Sequence, residues 1–122
     1  MRHETRGVLE SIRDAAQNIA DDTAGATFAM FSNDRRMRQL VERNFEIIGE
    51  AVNRLIRHDP LIAVKISERR LIVDFRNVVV HGYDTIDYAS VWRAVEESLP
   101  ILRAEVETLL RDADVDRQEP SE

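Results

Sequence analysis

The chain reads as an all-α domain, an up-and-down bundle of four to five helices with a kink in the last. Three observations predict it. Apolar residues recur at helical spacing along four segments of the sequence. No run alternates apolar and polar residues with the period of two that a half-buried strand requires. The 43% hydrophobic content supplies a core, and there is no cysteine to staple a smaller one.

The first helix is expected from about Thr5 to Asp22, with Val8, Leu9, Ile12, Ala15, Ala16 and Ile19 on one face. Gly25 and the small residues around it then make a loop. The second helix, from about Asp34 to Arg57, takes Ser32 or Asn33 as its cap. Its stripe is Met37, Leu40, Val41, Phe45, Ile48, Ala51, Val52 and Leu55, and Pro60 follows as a stop signal. The third runs from about Ser67, its N-cap, to Val80, with Leu71, Ile72, Phe75, Val78 and Val79 inward and Gly82 in the position of a left-handed C-cap. The fourth starts at the N-cap Asp87 and reaches about Arg111 through Val91, Trp92, Val95, Leu99, Leu102, Val106 and Leu109. Pro100 lies inside it, removes a backbone donor and should kink or break it.

A length of 122 residues suits one domain, expected over residues 1–111, followed by a disordered acidic tail over 112–122. The absence of cysteine excludes disulfides and thiolate metal sites and fits a reducing cytoplasm. No segment has the apolar length of a membrane span. The net charge of −6 argues against a general nucleic-acid binder. That deficit is local: residues 1–80 carry 13 basic and 12 acidic groups, whereas 81–122 carry 4 and 11. Arg35, Arg36 and Arg38 are either an RNA-facing patch or a solvated helix start. His3 and His58 show no ligand spacing with a carboxylate pair, so neither a metal nor a cofactor is expected.

Chemistry concentrates in Arg76-Asn77-Val78-Val79-Val80-His81-Gly82-Tyr83. Arginine supplies a permanent cation with a planar donor fork, histidine a proton donor or acceptor near neutral pH, and tyrosine a hydroxyl. Together they suit cleavage or modification of a phosphodiester. Residues 77 and 81 are four apart and share a helix face, so Asn77 is placed to orient His81. A helix C-terminus favours the charged imidazolium, which suits a general acid–base. Read without context, a histidine before a glycine is a capping arrangement, Arg76 is a partner for Asp74 or Glu50, and Tyr83 is a packing residue.

A second run, Arg43-Asn44-Phe45-Glu46-Ile47-Ile48-Gly49-Glu50-Ala51, lies in the long second helix. With these two motifs in this order, and Val91-Trp92 and Leu99-Pro100-Ile101-Leu102 after them, the chain resembles the HepT-like branch of the HEPN superfamily from about Val8 to Leu110. The second motif matches that family's Arg-x4-His-x-Tyr pattern. Pro60 to Ile66 departs from it, lacking the Pro-Trp dipeptide that many relatives carry.

The resemblance implies a homodimeric, metal-independent endoribonuclease that is the toxin of a type VII-like toxin–antitoxin pair. Its antitoxin would be an MntA-like nucleotidyltransferase that silences it by AMPylation of the motif tyrosine. Carried onto this chain, Arg76 and His81 are the catalytic pair, Tyr83 the acceptor, and Asn77 a supporting residue. Arg43, Asn44 and Glu50, which sit within the apolar stripe of the second helix where polar groups must find partners, brace the site or the dimer. A noncatalytic nucleotide-binding or helical interaction module that docks a nucleotidyltransferase is the alternative, and the net charge leans toward it.

Overall fold

A computed structural model describes residues 1–69, 72 and 87–118 of the chain. Every regular element among these residues is helical. Helix α1 (His3–Asp22) buries Val8, Leu9, Ile12, Ala15, Ala16 and Ile19, the face its spacing predicts. Beyond it the Thr23 hydroxyl donates to the Ile19 carbonyl at 2.7 Å, and Gly25 takes φ +73°, a left-handed conformation that glycine adopts without steric cost.

The chain then forms a short helix, α2 (Phe28–Asn33), where a loop is expected from the sequence. Thr27 caps it, its hydroxyl accepting from the Met30 N–H at 3.2 Å. Phe31 is fully buried and anchors it to the core. Six residues hold too few turns to display a periodic face, which is why the pattern hides this element.

Helix α3 (Arg35–His58) is capped by Asp34 rather than by Ser32 or Asn33. The Asp34 carboxylate accepts from the Met37 N–H at 3.0 Å. Ser32 and Asn33 belong to the last turn of α2, where both side chains donate to the Ala29 carbonyl. The buried stripe is Val41, Asn44, Phe45, Ile48, Gly49, Ala51, Val52 and Leu55. Leu40, expected within it, lies on its border and is 43% exposed.

Asp59 makes the next corner. Its N–H donates to the Leu55 carbonyl at 2.8 Å and closes α3, while its carboxylate accepts from the Ile62 N–H and, at 2.7 Å, from the Thr5 hydroxyl on α1. Pro60 is therefore more than a stop signal. It occupies the first turn of α4 (Pro60–Ala63), where a missing N–H costs nothing.

Of the expected third helix, residues 70, 71 and 73–80 lie outside the described residues. Ile72, read as inward-facing, is buried, and its N–H donates to the Glu68 carbonyl at 3.0 Å in helical fashion.

Helix α5 (Tyr88–Arg93) starts at Asp87, as expected, with the carboxylate accepting from the Ala89 N–H and the Ser90 hydroxyl. It passes through one π-helical turn (Ala94–Ser98) into α6 (Leu99–Gln118). The wide turn ends two residues before Pro100. Proline offers no N–H to the carbonyl four residues back and crowds it, so a widened turn at that place relieves both problems. The expected local break in the last helix takes this form.

Helix α6 continues past Arg111 to Gln118, so residues 112–118 are helical rather than the start of an irregular tail. Ala113 is buried, and Asp114 pairs with Arg6 of α1 at 2.7 Å. One apolar residue and one ion pair suffice to continue the helix through an acidic stretch whose sequence has little periodicity. Residues 119–122 lie outside the described residues.

The core joins the inward faces of α1, α3 and α6, with Phe31, Ile66 and Ile72 filling between them. Helix α1 lies against both α3 and α6. Among the described residues no helix is long and apolar enough to cross a membrane.

Candidate functional site

The first motif is an unbroken piece of α3, and helical geometry divides it into two sides. Asn44, Phe45, Ile48 and Gly49 point into the bundle, and Arg43 and Glu50 lie on the exposed side. The sequence places Arg43, Asn44 and Glu50 in the apolar stripe. Only Asn44 of these three is inside it.

Asn44 is 8% exposed, and both ends of its amide have a partner. The amide nitrogen donates to the Leu40 carbonyl at 2.8 Å, and the carbonyl oxygen accepts from the Asn18 amide of α1 at 3.3 Å. A buried amide satisfied across two helices fixes their relative rotation, because slipping one past the other would strand polar atoms. Arg43 projects to solvent and meets Glu46 at 3.4 Å, one turn along the same helix. Exposed pairs of this kind add little stability, so the guanidinium remains available to another group. Glu50 lies two turns from Arg43 on the same side.

The second motif is outside the described residues. That covers Arg76, Asn77, His81 and Tyr83. The segment leading toward it is held firmly at its start. The Ser67 N–H donates to both carboxylate oxygens of Glu105 on α6, at 3.1 and 3.3 Å, and its hydroxyl donates to one of them at 3.1 Å. Next to it, the Arg69 guanidinium donates to the Val64 and Ile66 carbonyls, at 3.3 and 3.1 Å.

One arrangement is absent from the sequence reading. The Arg38 guanidinium lies 4.4 Å from the centre of the Tyr88 ring and donates to the Ser32 carbonyl at 2.6 Å. Phe31 meets Tyr88 edge-on at 6.5 Å and Trp92 at 5.2 Å. No local pattern could reveal this, since Arg38 and Tyr88 belong to different helices far apart in sequence. Beside it, burial raises the proton affinity of the Glu42 carboxyl above the usual glutamate range, against the pull of Arg38.

Comparison with known proteins gives a consistent result. The model of the family described as "Ribonuclease HepT-like" matches residues 12–109, a span containing both motifs. The chain is 31% identical over 106 residues to "Putative RNase MJ1380" of Methanocaldococcus jannaschii, covering 87% of this chain and 96% of that protein. It is 30% identical over 115 residues to "Putative RNase MJ0127" of the same organism, covering 91% of each. It is 28% identical over 109 residues to "Probable ribonuclease HepT" of Thermococcus cleftensis, covering 89% of this chain and 98% of the relative. No solved structure gives a significant match. With an all-helical fold, both motifs inside the matched span and relatives aligned over nearly their whole length, the chain belongs to the HepT-like ribonuclease family.

Proposed function

We propose that this protein is a metal-independent endoribonuclease and the toxin of a toxin–antitoxin pair, with Arg76 and His81 as its catalytic residues. The observation that carries the reading is the Arg76-to-Tyr83 motif, present in full within the span matched by the family. Cleavage of RNA through its 2′-hydroxyl requires a base for that proton, an acid for the leaving 5′-oxygen and a cation beside the phosphorane. His81 serves proton transfer and Arg76 the charge. One chain supplies a single histidine in the motif, and a two-fold dimer supplies a second one to the same cleft.

Asn77 orients His81. Asn44 braces the site through the α1–α3 hydrogen bond, and Arg43 and Glu50 serve the site or the dimer from the exposed side of α3. Tyr83 is the acceptor for AMP from an MntA-like nucleotidyltransferase. The phosphate so attached would compete for the Arg76 guanidinium and occlude the cleft.

The test is cleavage of RNA in EDTA by purified protein whose mass confirms an unmodified Tyr83, with His81→Ala beside it. Loss of cleavage in the variant is expected. Equal traces would overturn the catalytic assignment in favour of a noncatalytic module that docks a nucleotidyltransferase, a reading to which the net charge of −6 lends weight.

A further inference from the structure

One end of the bundle, built from α2, the first turns of α3 and the start of α5, combines exposed aromatic rings with exposed cations. Phe28 is 44% exposed, Met30 51% and Tyr88 37%. Phe28 and Phe31 are three residues apart in α2 and thus neighbours on its surface, and Phe31 touches Tyr88. Arg35 and Arg36 follow immediately in the first turn of α3, both exposed and without an ion pair among the described residues.

The acidic groups of this end are engaged elsewhere. Asp34 caps α3, and Asp87 caps α5 while holding the Ser90 hydroxyl. Glu42 faces Arg38, which draws on its carboxylate. Arg35, Arg36 and Arg38 stand here against Asp34, Glu42 and Asp87, so this end is balanced in a chain whose overall charge is −6. Arg38 is fixed over one side of the Tyr88 ring, so that ring is presented in a defined orientation.

Exposed rings beside exposed arginines have the two parts that single-stranded nucleic acid requires: faces for bases and cations for phosphates. We propose that this end of the bundle is a docking platform for single-stranded RNA, on which bases stack against Phe28 and Tyr88 while Arg35 and Arg36 hold the phosphates. The platform uses no residue of the Arg76-to-Tyr83 motif, and it rests on the ribonuclease reading only for the choice of RNA as ligand. Its role is to hold the substrate strand and so set which stretch of RNA reaches the cleft. Charge decides the occupant: a two-fold contact with a second copy would set these arginines against their own counterparts, and an apolar helix would leave them unanswered.

The experiment is fluorescence anisotropy with a labelled 2′-O-methyl oligouridine of about 12 nucleotides, which can bind but has no 2′-hydroxyl with which to be cut. Phe28→Ala should weaken binding about tenfold. Arg35→Gln with Arg36→Gln should reduce the slope of log affinity against log salt by about 1.4, two phosphates' worth on a single strand. Tyr88→Ala removes the second ring and should weaken binding to a similar extent. Circular dichroism melts confirm the fold, which these exposed positions should leave intact.

Native affinity and salt slope in both the Phe28 and the arginine variants would overturn the platform, as would no binding by the native protein. If Phe28→Ala instead splits an oligomer in sedimentation while RNA affinity stays native, the face joins copies of the chain and the proposal fails. Cleavage of ordinary RNA, followed in parallel, separates the two readings. Cleavage with native binding in every variant leaves the ribonuclease standing without the platform, and weakened binding without cleavage leaves the platform without the ribonuclease.

Discussion

Glu105 on α6 holds Ser67 by both of that residue's donors, the backbone N–H at 3.1 Å and the hydroxyl at 3.1 Å. The two residues are 38 positions apart, and between them lie the second motif and the whole turn from α5 into α6. A carboxylate that accepts from a backbone N–H where a helical segment begins does the work of a cap, here supplied by another helix. Helix α6 thereby fixes where the segment containing Ile72 starts.

Removing that carboxylate should therefore be felt as a loss of stability. Glu105→Ala is expected to cost about 1–2 kcal/mol in urea unfolding, and Ser67→Ala less, because the backbone N–H keeps its acceptor. The double variant should cost less than the two single costs combined, since both report one interaction. Additive costs would show that the contact carries no energy of its own.

Asn44 joins α1 to α3 at the border of the core, where its amide is largely shielded from water. Asn44→Ala is expected to destabilise by about 1–3 kcal/mol, and Asn44→Asp by more at neutral pH, because a carboxylate there would face the Leu40 carbonyl, to which it cannot donate. Unfolding in urea measures both. An Asn44→Asp variant as stable as the native protein would place this residue at a hydrated position.

Asp34 and not Ser32 or Asn33 ends the α2–α3 corner, and the variants should rank accordingly. Asp34→Ala is expected to lower stability by about 1 kcal/mol, whereas Ser32→Ala and Asn33→Ala, which lose exposed bonds to the Ala29 carbonyl, should stay within about 0.5 kcal/mol. The reverse order in thermal melts would return the cap to Ser32 or Asn33.

What the sequence makes legible follows from length. Helices α1 and α3 run for 20 and 24 residues, enough turns for an apolar stripe to declare itself, and their buried faces are those the spacing predicts apart from border positions such as Leu40. Helix α2, at six residues, has no such stripe, and only the Thr27 cap hints at it. The end of α6 is hidden differently: Ala113 and the Arg6–Asp114 pair hold a stretch that is locally acidic and polar. In the candidate site the residue types of both motifs are legible, but inward and outward positions on α3 are not. A polar residue bordering a stripe and one inside it have the same spacing, so Asn44 parts from Arg43 and Glu50 only once its partner on α1 is known. Arg38 and Tyr88 meet solely through tertiary packing.

Glu42 gives the chain a pH dependence whose sign can be worked out. Burial raises its carboxyl's proton affinity in the folded state, and the nearby Arg38 only partly opposes this. As pH rises through the glutamate range the unfolded chain loses this proton first, so the folded state loses stability relative to it. Asp87 acts with the opposite sign: its bond from the Ser90 hydroxyl, first among the causes, holds its carboxyl below the usual range, and that stability disappears as pH falls. Glu42→Gln removes the first effect alone. The variant is expected to melt slightly above the native protein at pH 7, by well under about 1 kcal/mol because solvent screens a half-exposed group, and the gap should close near about pH 3, where the native side chain is protonated too. Thermal melts across that range decide it. A variant that melts below the native protein at pH 7 would mean that the attraction between Glu42 and Arg38 outweighs the cost of burying the charge.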